Sequence, residues 1–185
     1  MLNQMKYLSF NSKKSVEQEK LIFDEPFLLM VLENFHRFIL IIAPIIFGAA
    51  FFYVQLNFQN PVLLPFSAIT LFLSLFFCFF IFRQIKKANK FRIIKGSEDR
   101  RENIESVERI CNKNNWEILH TDNHSQVIKI ENHKIAYHSG RELYLVYQDN
   151  KIYLRCLTYS MHDLINPFHW DKQSEIENMI IENFQ

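Results

Sequence analysis

One long apolar run divides the chain. From Phe38 to Phe82 there is no Asp, Glu, Lys or Arg, and apolar residues follow one another without helical or alternating gaps. A spanning helix needs roughly 20 apolar residues to cross a hydrocarbon core of about 30 Å, and this run holds two such lengths. Asn57, Gln59, Asn60 and Pro61 interrupt it. A proline ends one helix and suits the first turn of the next. The pattern predicts transmembrane helices at 38–56 and 62–82, joined by a loop at 57–61.

Residues 1–37 read as a cytoplasmic N-terminal segment. Residues 1–25 are polar and mixed in charge, and they lack the apolar core and small-residue cleavage site of a signal peptide, so the N-terminus is expected to be retained. Pro26 then opens FLLMVLENFHRF, with Asp24 and Glu25 before it favouring a helix start. This stretch is expected to be an interfacial helix running into the first span, with His36 and Arg37 at headgroup depth. Glu33 and His36 fall three apart on one face, which fits a solvated interfacial pair better than a proton or metal pair.

After the spans, residues 83–95 form a basic juxtamembrane linker and 96–185 show the shorter periods of a water-soluble domain. Ser97 predicts an N-cap with Glu98 and Asp99 in the first turn. Ile104, Val107, Ile110 and Cys111 recur at helical spacing, and Asn112, Asn114 and Asn115 end that helix. WEILHT (116–121), QVIKIE (126–131), residues 134–138, ELYLVY (142–147) and KIYLRCLT (151–158) read as strands, the last two forming a hairpin around Gln148, Asp149 and Asn150. Residues 159–170 read as a loop broken at Asn166–Pro167. Asp171 then caps a helix with Ile176, Met179, Ile180 and Phe184 on one face. Both helices are expected on one face of the sheet. The fold class is thus a membrane protein: a two-helix transmembrane hairpin plus a small cytoplasmic α+β domain, built as helix, antiparallel sheet of four to five strands, helix.

Within the spans, Pro44, Gly48, Ala49 and Ala50 lie close together in the first, and Ser67, Thr70, Ser74 and Cys78 form a stripe on the second. Small residues let helices approach closely, so Gly48, Ala49, Ser67, Thr70 and Ser74 are the helix-packing candidates, within the hairpin or between protomers. No ionisable carboxylate or base sits in either span, which disfavours a pump or transporter.

Composition alters this picture little. The chain has 185 residues and a net charge of +1, giving no case for a nucleic-acid partner. Its mean hydropathy of −0.09 conceals the apolar run inside an otherwise ordinary soluble sequence. Charge distribution is more informative. Arg83, Lys86, Lys87, Lys90, Arg92 and Lys95 follow the second span, Lys13, Lys14, Lys20 and Arg37 precede the first, and the connecting loop has no charge. The positive-inside rule then places both termini in the cytoplasm. Arg83, Lys86, Lys87, Lys90 and Arg92 are the membrane-surface candidates, a topology signal that can also lie on anionic headgroups.

Candidate chemistry is sparse. Cys78, Cys111 and Cys156 are far apart in sequence and fit reduced thiols. His120 and His124 straddle a strand–turn boundary, while His133, His138, His162 and His169 occur singly, so no metal or cofactor is expected. No phosphate loop, GxSxG, HExxH or Cys–His arrangement is present. Tyr137, Tyr144, Tyr147 and Tyr153 on the strands lack the pattern of a base-stacking platform. Phe168, His169 and Trp170 form a candidate partner loop, able to contact a partner or the bilayer, or to plug the sheet.

The helix ending in NNW (114–116), the EI after it, ELYLVYQDNKIYL (142–154) and the terminal helix with EIENMI (175–180) together resemble small bacterial membrane proteins of uncharacterised function. These carry two spanning helices and a cytoplasmic α+β domain in this order. The architecture is also similar to YcxB-like proteins, from which it differs in having a helix before the sheet. The resemblance implies a bacterial cytoplasmic (inner) membrane location, multi-pass, and supplies no activity or functional residue. The leading expectation is a non-enzymatic integral membrane protein. Its cytosolic domain would bind a protein partner or a second copy, as a scaffold or as an accessory subunit of a membrane complex. The alternatives are an immunity protein guarding the membrane against a toxin, and a membrane-anchored lipid-sensing module.

Overall fold

The computed structural model describes residues 9–24, 27–58, 63–130, 138–160 and 170–184. They fall into two units, Pro26–Lys87 and, combined, Met1–Glu25 with Ala88–Gln185.

The first unit consists of α2 (Phe27–Phe58) and α3 (Leu63–Ala88); α1 (Ser12–Glu17) lies earlier in the chain. Each is apolar around most of its circumference, as expected of a helix that is not packed on a protein core. The interfacial stretch and first span are one uninterrupted helix, with Glu33 and Arg37 in an i,i+4 ion pair at 3.3 Å. Arg37, and not His36, is thus the partner that helix geometry supplies to Glu33. Pro44 sits inside α2, where it removes the donor for the carbonyl four residues back. One residue beyond that carbonyl, Ile41 O accepts the Cys78 thiol at 2.7 Å. Of the expected loop, Asn57 and Phe58 are still helical, and 59–61 lie outside the described residues.

The second unit is a five-stranded, wholly antiparallel sheet in the order β1-β5-β4-β3-β2. Its strands are β1 (Arg92–Lys95), β2 (Glu117–Thr121), β3 (Ser125–Ile130), β4 (His138–Gln148) and β5 (Lys151–Ser160). Four come from the expected segments. The fifth is β1, taken from the end of the basic linker, and the segment 134–137 is outside the described residues. Alternation along the strands supplies two faces. On one, α4 (Arg100–Asn114) and α5 (Trp170–Glu182) bury Val107, Ile110, Cys111, Ile176 and Ile180 against Leu143, Leu145, Ile152 and Leu154. Asp99, and not Ser97, caps α4, its side chain accepting Arg101 N. Asn115 closes the helix in the left-handed region that Asn tolerates.

The other face is covered by the N-terminal residues. Residues 10–23, including the short helix α1 (Ser12–Glu17), form a closed strap: Phe10 bridges Phe23, and buried Ser15 takes Ile22 N at 2.9 Å. Phe10 and Phe23 stand edge-on to Tyr144 at 5.1 and 5.3 Å, and Leu21 joins Val127, Val146 and Leu157 in a second core. The sequence-based boundaries at 37 and 96 therefore differ from the folded ones. The strap and β1 are parts of the sheet unit, because their scattered apolar side chains find cover only there.

Candidate functional site

The hairpin seam is built from small residues. Gly48 is buried, and a Cβ at that position would lie 2.6 Å from Ser74 Oγ and 2.9 Å from Ser74 Cβ. Ser67 is fully buried, and the hydroxyls of Thr70 and Ser74 donate back to Phe66 O and Thr70 O, each at 2.9 Å. Such back-bonding satisfies a hydroxyl within an apolar helix. Gly48 and Ser74 are therefore brought together inside one hairpin, whereas Ala49 is exposed and lies off this seam.

The basic residues divide. Arg83, Lys86 and Lys87 are exposed near the C-terminal end of α3, where cations complement the helix dipole, and Lys86 Nζ lies 4.5 Å from the Phe82 ring centroid. Lys90 is exposed in the second unit. Arg92 is half-exposed and tied to α5, donating to Asn178 Oδ1 at 2.7 Å and facing the Glu177 carboxylate at 3.6 Å. It links β1 to α5 at the edge of the sheet, because β1 completes the sheet.

That contact belongs to the most constrained polar site in the unit. Glu177 on α5 is fully buried; one carboxylate oxygen accepts Cys156 N at 2.9 Å and Arg155 Nη1 at 3.1 Å. Arg155 Nε donates to Ala88 O at 2.6 Å, taking up a carbonyl left without an intrahelical partner at the last residue of α3. Burial pushes the Glu177 carboxyl up from the ordinary range, with Arg155, the Cys156 amide and Arg92 pulling it back. Hydrophobic spacing placed Ile176 and Ile180 on the buried face and gave no sign of the carboxylate between them. The only available signal was the count of arginines on β1 and β5.

A second buried polar group lies under the strap. The Tyr144 hydroxyl meets the Tyr159 hydroxyl at 2.9 Å and donates to Glu142. Tyr144, Tyr147 and Tyr153 are all buried and leave no ring face open for a base. An open cleft of about 420 Å³ is lined by Lys95, Ser97, Glu102, Asn103, Ser106 and Phe184, among others. Three of its polar residues bond to one another: Asn103 accepts Ser97 N and donates to Ser97 O, both at 2.8 Å, and the Ser97 hydroxyl donates to Glu102. A Cβ on Gly96 would meet Asn103 Oδ1 and Ile152 Cγ1 at 2.9 Å, so glycine permits this close approach.

His120 contacts Asp122 at 3.3 Å and His124 contacts Arg100 at 3.0 Å, so the two histidines have separate partners. Among the described residues no three His, Cys, Asp or Glu side chains gather as metal ligands. Burial raises the Cys111 thiol to about 11 and Cys156 further, leaving both protonated and poor nucleophiles at neutral pH. His133, His162, Phe168 and His169 lie outside the described residues; Trp170 begins α5. These arrangements hold elements together and satisfy buried charge. None positions a nucleophile against a base.

Comparison with protein-family models, with curated proteins and with solved structures gives no match.

Proposed function

We propose that the chain is an integral membrane protein whose helices α2 and α3 cross the bilayer as a hairpin. Both flanks lie on one side, the cytoplasmic side of a bacterial inner membrane. The sheet unit acts there as a non-enzymatic binding module, a scaffold or accessory subunit of a membrane complex. One observation carries this reading. The two candidate spans, Glu33–Asn57 and Pro65–Ala88, are 25 and 24 residues long, yet only 6% and 17% of an 18-residue apolar window in each is buried. At about 1.5 Å per residue each exceeds the roughly 30 Å of a hydrocarbon core. A core helix of a soluble protein would be mostly covered. The same-side topology is supported by the strap and the segment after α3 sharing one folded unit, and the orientation by the uncharged connection between the helices.

The test is labelling of intact cells with a membrane-impermeant maleimide, in a chain whose native cysteines are buried. Asn57→Cys should react from outside and Lys151→Cys only after lysis. Reaction of both from the same side would overturn the hairpin. Phe76→Arg, mid-way along α3, should cost about 2.5–3.5 kcal/mol of insertion free energy and release much of the chain to carbonate extraction. The binding role predicts one protein co-purifying in fixed ratio from native membranes in mild detergent. Recovery of the chain alone would count against a subunit role.

A further inference from the structure

The hydrogen bonds that close the strap set two lysines face to face. Leu21 N donates to Asn89 O at 2.7 Å and Phe91 N to Glu19 O at 3.1 Å, with Lys20 and Lys90 paired between them. This is the non-hydrogen-bonded position of an antiparallel pair, where opposed Cα atoms are only about 4.5 Å apart and side chains come closest. Like charges directly opposite one another are destabilising. The register leaves no escape, because Leu21 and Phe91 on either side are buried at 3% and 5% exposure. Both lysines are exposed, and neither side chain has a hydrogen-bond or ion-pair partner among the described residues. Lys14, on the same strap, has one in Asp24 at 2.9 Å.

Lys90 is two residues past Ala88, the end of α3. From Phe82, the last residue of the uncharged run, the six residues to Ala88 rise about 9 Å along the helix and two more reach at most about 7 Å, against a headgroup layer of roughly 5–7 Å on each side of the hydrocarbon core. On the proposed insertion this tether would keep Lys90 at or just outside the headgroup layer, where a long side chain can meet a phosphate, and Lys20 is fixed beside it by the backbone.

We propose that Lys20 and Lys90 together seat the phosphate of an anionic phospholipid headgroup, and that this lipid closes the strap over the sheet. The proposal rests on the insertion of the hairpin proposed above. Without the anion the two ammonium groups repel and loosen the Leu21 and Phe91 hydrogen bonds. With it the repulsion becomes a shared attraction. Bilayer composition thereby controls whether the N-terminal residues cover Tyr144 and its neighbours.

The experiment is amide hydrogen exchange at Leu21 and Phe91 in the full-length protein. It is reconstituted into vesicles of phosphatidylcholine alone or of phosphatidylcholine with phosphatidylglycerol. Exchange should slow by about thirtyfold in the anionic vesicles, the scale set by two lysines at an anionic surface. Lys20→Gln with Lys90→Gln should abolish the difference. Lys20→Glu should pair with Lys90 and give slow exchange in both vesicles. Equal exchange in the two vesicle types, with the hairpin protected from protease, overturns the lipid seat and leaves the membrane reading standing. Slowing by inorganic phosphate over neutral vesicles overturns the assignment to lipid. A hairpin open to protease in both vesicles overturns both readings.

Discussion

The hairpin and the sheet unit put the same residue types to opposite uses. Phe47, Phe72, Phe76 and Phe79 on α2 and α3 are 62–68% exposed, while Leu143, Leu145, Leu154 and Ile180 in the sheet unit are fully buried. Polar groups follow the same inversion. Ser67 and Ser74 lie along the hairpin seam, whereas in the sheet unit many charged residues are exposed and the buried Glu177 carboxylate is paired with Arg155. The contrast is the one expected if the proposed insertion gives the two units different solvents. Water drives apolar side chains inward. Around a hairpin inserted as proposed, lipid would be as apolar as they are, so close helix approach would decide the seam instead.

The largest effect that would sharpen this contrast comes from the buried ion pair. Arg155→Ala leaves Glu177 buried with only the more distant Arg92, and should destabilise the sheet unit by about 3–5 kcal/mol. Arg101→Ala, which removes an exposed i,i+4 pair with Glu105, should cost less than about 1 kcal/mol. Chemical unfolding of the two variants measures the difference, and equal losses would show that burial of Glu177 is unimportant. In the hairpin the corresponding test is steric. Gly48→Ala should cost about 1–3 kcal/mol by overpacking against Ser74, and Ser74→Gly in the same chain should recover most of it. Ala49→Val, one residue along and exposed, should be neutral. Resistance to unfolding in denaturing detergent separates these, and an Ala49→Val defect would place the seam elsewhere.

The smallest effect is in pH. Burial raises the Glu177 carboxyl in the folded state, so the folded form binds its proton more tightly than the unfolded chain does. Its contribution is fully present below the unfolded carboxylate range, about 4.3, and is lost as pH rises through the raised folded value. Asp122 has the opposite sign. Burial alone would raise it, but the His124 and Ser125 amides, the Ser125 hydroxyl and His120 together hold it down. Its contribution is present above the unfolded range and lost as pH falls through the lowered value. Glu177→Gln should flatten the decline on the alkaline side and leave the acid limb unchanged. A slope that persists in this variant would assign the dependence to another group.

Much of the architecture is readable in the sequence because it rests on local periodicity. An uncharged run of this length determines two long apolar helices whatever surrounds them. The spacing of Val107, Ile110 and Cys111 marks one face of α4, and the alternation in ELYLVY and KIYLRCLT marks the central strands. The small residues of the seam are equally visible, though only the packed helices decide that Gly48 meets Ser74 while Ala49 does not. What no local pattern carries is pairing across a long sequence separation. Phe10, Val16, Leu21 and Phe23 look like strays in a polar segment until Tyr144 and Val146 are beside them. Arg92 reads as one more surface charge until β1 docks on β5 and aims it at Glu177. Lys20 and Lys90 become neighbours only through hydrogen bonds that bridge the whole hairpin. Helix and strand type follow from nearest-neighbour chemistry. The strap, the buried carboxylate and the opposed lysines depend on long-range contacts, which only the assembled fold creates.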